Sequence, residues 1–181
     1  MLEAGAADAF QIPRLATPRL TLRAFRRGEF DAYADHLADP ASRPPGLSPV
    51  DRRMAWRMFA ACLGSWALDG AGWWALELRE TGFVVGTVGA FYREPLAPGA
   101  PAPLLELGWS VYRAHWRRGY ATEGAAAALR DVRDRLGARR AIAHIDPANE
   151  ASLRVAAGLG MTFQGEVEFY GATTGLHAID L

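Results

Sequence analysis

An apolar run, Leu104 to Tyr112, leads closely into His115-Trp116-Arg117-Arg118-Gly119-Tyr120-Ala121-Thr122-Glu123-Gly124, and an Ala-rich run from Ala125 to Leu136 follows. The first alternates as a strand does, and the last reads as a helix. A strand that turns at once into a helix has to lay that helix back on its own sheet, so this stretch limits the fold more than any other. Such a turn also gathers unpaired backbone N–H groups and the positive end of a helix dipole at one point. That point suits a phosphate. The glycine lets the backbone come close to an anion, and the arginines add charge. Many strand-to-helix turns contain a glycine and bind nothing, so the rest of the chain has to decide.

Residues 1–17 have no clear period and read as a loose N-terminal arm, with one domain spanning 18–181. Arg19 to Ala24 alternates as a first strand, and Glu29 to Ala38 forms a short helix stopped by Asp39-Pro40. Pro44-Pro45-Gly46 marks a loop. Ser48 then caps a helix that has Pro49 in its first position and runs to about Leu68. Trp73–Arg79 and Phe83–Tyr92 form a hairpin around Glu80-Thr81-Gly82. A Pro/Gly/Ala-rich loop, Pro95 to Pro103, precedes the strand at 104–112. After a helix from Ala121 to Leu136, which Gly137 ends, come a strand (140–146), a helix (150–159), a strand (161–169) and a last strand (175–181). The order predicts an α/β (α+β) domain. Its sheet is mixed and mostly antiparallel, of about seven strands flanked by about four helices, with hairpins early and crossovers late.

With 181 residues, half of them hydrophobic, the chain can bury a sizeable core. Its net charge of zero argues against a nucleic-acid or membrane-surface binder. Every basic residue other than histidine is an arginine, which excludes lysine chemistry such as a Schiff base. The single Cys62 falls in a helical apolar pattern and reads as a core residue. One cysteine makes no internal disulfide, and no apolar run approaches a membrane span, so a cytoplasmic protein is expected. His36, His115, His144 and His177 lack metal-ligand spacing, so no metal is expected.

Two features join the anion turn. Along 104–112, Glu106, Gly108 and Ser110 share one face, and a carboxylate on a strand beside a phosphate site is a candidate general base. Asn149 fits a helix N-cap, and Ser152 lies three positions on, along the same helix face. A plain cap needs Asn149 and has no use for a hydroxyl at Ser152.

With these residues in view, the chain resembles the GNAT superfamily of N-acetyltransferases, and within it the ribosomal-protein N-terminal acetyltransferase branch. The resemblance runs through TPRLTLRAF (17–25), LLELGWSVY (104–112), HWRRGYATEG (115–124) and NEASLRVAAGLGMTFQGE (149–166). It implies a GNAT-like fold that uses acetyl-CoA as cosubstrate. By that likeness the turn from Arg117 to Thr122 holds the pyrophosphate, through the backbone N–H groups of Arg118, Gly119, Tyr120, Ala121 and Thr122. Trp109, Ser110 and Val111 pair with the pantetheine arm, Asn149 contacts the cofactor, and Ser152 sits near the sulfur, where it could protonate the leaving thiolate. Trp116 stands where the superfamily usually has Gln or Arg, Arg117 replaces a common glycine, and no tyrosine follows Ser152 where many relatives keep their general acid.

The implied reaction is attack of a neutral amine on a thioester carbonyl, with both substrates held in line and no covalent enzyme intermediate. With reference pKa values of about 7.7–8.0 for an α-amine and about 10.4 for lysine, roughly a third of the first and about 0.1% of the second is neutral near pH 7.5. A protein N-terminal amine or a small-molecule amine is therefore favoured as acceptor. Glu106 is the first choice of base and Glu168 the second, while Glu123 suits a dipole role. A catalytically silent acyl-CoA-binding module is the competing reading, and a nucleotide-binding α/β domain ranks below it, since no P-loop or GxGxxG is present. A homodimer would be unsurprising.

Overall fold

The computed structural model describes residues 11–43, 48–93 and 104–181. The loops expected at Pro44-Pro45-Gly46 and at 95–103 lie outside the described residues, as do the first ten residues of the expected arm. In chain order the elements are β1 (Leu15–Ala16), β2 (Leu20–Arg23), α1 (Phe30–Ala38), α2 (Arg52–Asp69), β3 (Gly72–Leu78), β4 (Val84–Tyr92), β5 (Leu105–Val111), α3 (Tyr120–Leu136), β6 (Arg140–Ile145), α4 (Glu150–Leu159), β7 (Thr162–Phe169) and β8 (Ala172–Asp180). The strands form one sheet in the order β1-β2-β3-β4-β5-β6-β8-β7. Every neighbouring pair is antiparallel except β5 and β6. That single parallel contact is the one that α3 crosses over to make, as a right-handed crossover connection requires a helix-length segment.

Strand alternation divides the core between the two faces of the sheet. Leu20, Leu22, Trp74, Leu76, Leu105 and Leu107 point to one face and pack with Ala125, Ala128, Leu129 and Val132 of α3. Small side chains on α3 let this helix lie close to the strands. On the other face, Phe25, Tyr33, Leu37, Phe59 and Cys62 form a second cluster that seats α1 and α2 over Ala75. Cys62 is buried there, and burial pushes its thiol up to about 11, which suits a core residue and not a nucleophile.

Three local expectations change. Ser48 was expected to cap α2, but Asp51 does so, its Oδ1 accepting from the Met54 amide at 2.7 Å. Residues 48–50 are held extended instead: the Val50 amide donates to the Leu37 carbonyl and Arg43 Nε to the Ser48 carbonyl. The last strand starts at Ala172 and not at 175, because Tyr170 and Gly171 both take positive φ (49° and 78°) and close a two-residue hairpin. Residues 11–17, read as the end of a loose arm, are tied down: Leu15 and Ala16 pair with β2, and Trp74 Nε1 donates to the Pro13 carbonyl.

Candidate active site

The site begins where the sheet opens. β5 and β6 pair only at Leu105↔Ala141 and Glu106↔Ile142. From Leu107 to Val111, β5 keeps its partner β4 and has no strand among the described residues on its other side. Beside this gap lies a cleft of about 480 Å³. Of the residues singled out in the sequence, β5 lines it with Trp109, Ser110 and Val111, the turn with Arg117, Gly119, Ala121 and Thr122, and the start of α4 with Asn149 and Ser152. The side chains of Arg118 and Tyr120 are not in its lining.

The turn has the geometry that an anion site needs. Arg117 and Gly119 both lie at positive φ, 59° and 76°. Glycine takes this conformation freely, whereas arginine is strained there by roughly 1–2 kcal/mol. The amides of residues 117–122 donate no hydrogen bond to any described residue; the first helical donation at this end is from the Glu123 amide to the Gly119 carbonyl. Six free amides thus sit at the positive end of a 17-residue helix, facing the cleft's side of the molecule.

Arg19, read in the sequence only as the start of a strand, braces this turn from beside β2. Its Nη1 donates to the Arg118 carbonyl at 2.8 Å, its guanidinium lies over the Tyr120 ring, and its Nε donates to Glu123 Oε2 at 2.6 Å. Glu123 also accepts from the Thr17 hydroxyl and the Arg19 amide. Partial burial pushes the Glu123 carboxyl upward, but these donors outweigh it and hold the group below the usual carboxylate range. The dipole role expected for Glu123 is therefore joined by a bracing one. Trp116 replaces the usual polar residue by tying its Nε1 to the Val111 carbonyl at 2.6 Å, which fixes the end of β5 against the turn. Asn149 caps α4 as expected, its Oδ1 accepting from the Ser152 amide at 3.1 Å.

His36 of α1 reaches Ser110 from the other face, with Nε2 2.7 Å from Oγ, and its ring packs against Tyr112. Burial lowers its pKa to about 4, with the nearby Arg43 charge adding to the effect, so it is neutral at physiological pH.

Glu106 stands in a different setting from the one a free base needs. It is buried, outside the cleft lining, and both its oxygens are engaged by Arg93, at 2.7 Å from Nε and 2.9 Å from Nη2. Burial alone would raise its pKa, but His144 and Arg93 bring it below the usual range. We weight Arg93 above His144, because the imidazole Nδ1 stands 3.6 Å from Oε2, beyond hydrogen-bonding distance. A bidentate, pKa-depressed carboxylate accepts a proton poorly. Glu168, the second choice, is exposed on β7 and accepts from Thr173.

The face around Glu106 is aromatic. Trp73 lies flat across β4 and β5, where a Cβ at Gly89 or Gly108 would come within 2.4 or 2.5 Å of its ring. Phe91 stacks on Trp73, and Phe91, Phe169 and Tyr170 surround the Arg93 guanidinium.

A sheet split beside a helix start with free amides is the architecture of an acyl-group transferase that lodges an extended carrier between two strands. The sequence model of the acetyltransferase (GNAT) domain matches residues 19–162, and the chain belongs to that family of acetyltransferases. The crystal structure of an acetyltransferase from Agrobacterium tumefaciens str. C58 is 33% identical, with a TM-score of 0.83 over 94% of this chain and 95% of that one. The uncharacterized protein YkkB of Bacillus subtilis (strain 168) is 33% identical over 94 residues, about half the length of either chain (52% of each). RimL, a ribosomal L7/L12 alpha-N-protein acetyltransferase solved in complex with coenzyme A, shares the fold at 14% identity, with a TM-score of 0.74 over 93% of this chain and 98% of that one.

Proposed function

We propose that the protein moves an acetyl group from acetyl-CoA to a primary amine, by direct attack within a ternary complex. The observation that carries this is the set of free amides at 117–122 opening on the same cleft as the unpaired edge of β5 and the Ser152 hydroxyl. In this reading Arg117, Arg118, Gly119, Tyr120, Ala121 and Thr122 take the diphosphate through their backbone. The edge at Trp109, Ser110 and Val111 pairs with the pantetheine arm as an added strand would. Asn149 contacts the arm, and Ser152 meets the thiolate as it leaves. Glu106 stays ionised and organises Arg93 and His144. The acceptor is a protein N-terminal α-amine or a small-molecule amine. The RimL fold likeness supports the first, and the aromatic floor at Trp73 and Phe91 accommodates either.

The test is a melting curve with acetyl-CoA, followed by thiol release across a panel of peptides with free α-amines, alkyl amines and aminoglycosides. Acetyl-CoA at 100 times its dissociation constant stabilises by about 2.7 kcal/mol, a rise of roughly 5–11 °C for a chain of this size. Absence of that rise would overturn the proposal. A rise without thiol release from any amine would instead make the protein a silent acyl-CoA-binding module.

A further inference from the structure

We infer that His144 is the general base that takes the proton from the acceptor amine, and that Glu106 is the residue that positions it. The inference rests on amine acetylation being the reaction. It starts from the strand register. β5 and β6 are last paired at Glu106↔Ile142. Two residues further along each strand are Gly108 and His144, so His144 stands across the opening from Gly108, at the point where the sheet parts. Residues paired across a sheet share a face, and so do residues two apart along a strand. The His144 side chain therefore lies on the face of Glu106, the face on which Trp73 covers Gly108. His144, like Glu106, is outside the cleft lining, so it is an amine reaching a thioester lodged in the gap from this side that arrives beside the imidazole.

The ring is held as a base should be. It stacks on Phe169, with centroids 4.0 Å apart and planes 9° apart. Its Nδ1 is enclosed, has no hydrogen-bond partner among the described residues, and faces Glu106 Oε2 at 3.6 Å. A carboxylate at that distance selects the tautomer with the proton on Nδ1, and a small rotation of either side chain closes the hydrogen bond. Nε2 is then left with its lone pair, and it bonds to no described residue. The charged and titratable groups facing the ring are Glu106 from β5, Arg93 beyond β4 and Tyr170 from the β7–β8 turn, while β8 sets Leu176 opposite it. Arg93 is itself paired with Glu106, so the guanidinium charge beside the ring is balanced by the carboxylate.

Two alternatives are occupied, and Glu168 is exposed on β7 and lines no part of the cleft. Both Glu106 oxygens are on Arg93, and His36 Nε2 is on Ser110. In the step itself the amine nitrogen bonds to the acetyl carbon and the carbon–sulfur bond breaks, with its electron pair going to sulfur. The surplus proton on nitrogen goes to His144 Nε2 and from there to solvent. The thiolate takes one proton back, so the enzyme ends each turnover unchanged.

The experiment is the pH dependence of kcat/KM for wild type, His144→Gln and Glu106→Gln across the same amine panel, with acetyl-CoA affinity measured alongside. A base on the enzyme gives an acid limb common to all acceptors, whereas titration of the amine gives one that moves with the acceptor. His144→Gln is expected to abolish the common limb and slow alkyl amines, protonated at assay pH, by about 10²–10⁴-fold. It should also slow acceptors already neutral at that pH, since their nitrogen sheds the same surplus proton, leave acetyl-CoA affinity unchanged, and be partly rescued by added imidazole. Glu106→Gln removes a negative charge next to the ring and should move the common limb to lower pH. A His144→Gln enzyme that keeps the limb and wild-type rates overturns the inference. If that variant does not fold, an unmoved limb in Glu106→Gln does so. Wild type that binds acetyl-CoA but acetylates nothing in the panel removes the reading on which the inference stands.

Discussion

Glu123→Gln removes one charge from the brace behind the anion turn and keeps nearly the same shape. The glutamine Oε1 can still accept from Thr17 and from the Arg19 amide. Its NH2 group, however, would face Arg19 Nε, donor against donor, where the carboxylate now accepts at 2.6 Å. A hydrogen bond to a charged group contributes about 1.5–3 kcal/mol. The Arg19 side chain is 50% exposed and that of Glu123 15%, and solvent screening places the loss near the lower end, about 1.5–2 kcal/mol. For a chain of this length that is a fall in Tm of roughly 3–8 °C. The same Arg19 holds the Arg118 carbonyl, next to an arginine strained at positive φ. If the brace keeps the amides aligned, part of that energy also appears in cofactor affinity, at about tenfold for each 1.4 kcal/mol. The assay is thermal melting and acetyl-CoA titration of Glu123→Gln, Arg19→Gln and the double variant. The double variant should cost less than the two single losses together by about 0.5–3 kcal/mol, since both break one contact. A Glu123→Gln protein melting within about 1 °C of wild type, with unchanged acetyl-CoA affinity, would refute the bracing role.

Gly89→Ala puts a methyl group 2.4 Å from the Trp73 ring; melting should show a loss of about 1–3 kcal/mol from the forced tilt, with KM for the acceptor rising more than KM for acetyl-CoA. His36 has an ordinary value of 6.5 that burial lowers to about 4, so between those pH values the unfolded chain binds the proton and the folded one does not. Its contribution is fully present above 6.5 and is lost as pH falls, by about 2 kcal/mol from pH 7 to pH 5; urea unfolding at the two pH values should show this slope in wild type and not in His36→Gln. Asn149→Ala should cost about 1 kcal/mol as a lost helix cap. Asn149→Asp keeps the cap and adds a negative charge to the cleft, so it should melt like wild type and bind acetyl-CoA more weakly.

The sequence carried the parts of this fold that depend on local periodicity. The strands at 72–78, 84–92 and 105–111 and the helices at 120–136 and 150–159 follow from alternation, Ala-rich spacing and glycine stops, and they fall within a residue or two of the expected ends. The tight turn before α3, with its unbonded amides, was legible for the same reason, since it is a matter of backbone and needs no distant partner. What was not legible depends on contacts between residues far apart in the chain. Arg19 and Arg118 are 99 positions apart, and Arg93 and Glu106 meet across two neighbouring strands. Glu106 as a free base was a reasonable inference from one strand face, but alternation says nothing about the arginine that β4 sets beside it. Ser48 failed as a cap because a tertiary hydrogen bond, from Val50 to Leu37, took over the segment.

The gap between β5 and β6 ties these observations into one physical argument. The unpaired edge of β5 from Gly108 to Val111 is half-buried beside the cleft, and N–H and C=O groups there need a partner, whether water or a ligand. The chain could have closed the gap by continuing the parallel register, and it does not: past Ile142, β6 runs on to Ile145 paired with β8 and no longer with β5, and Asp146 then accepts from the Ala148 amide as the backbone turns into α4. That turn swings Asn149 and Ser152 to the mouth of the opening, while Trp116 pins the far end of β5. The break in pairing that leaves an edge for an extended carrier also uncovers His144 at its root. On the proposed reading, extending β6 pairing to Gly108 would remove both the edge offered to acetyl-CoA and the amine's approach to the imidazole, so cofactor binding and proton transfer are expected to depend on the same two residues of unmade sheet.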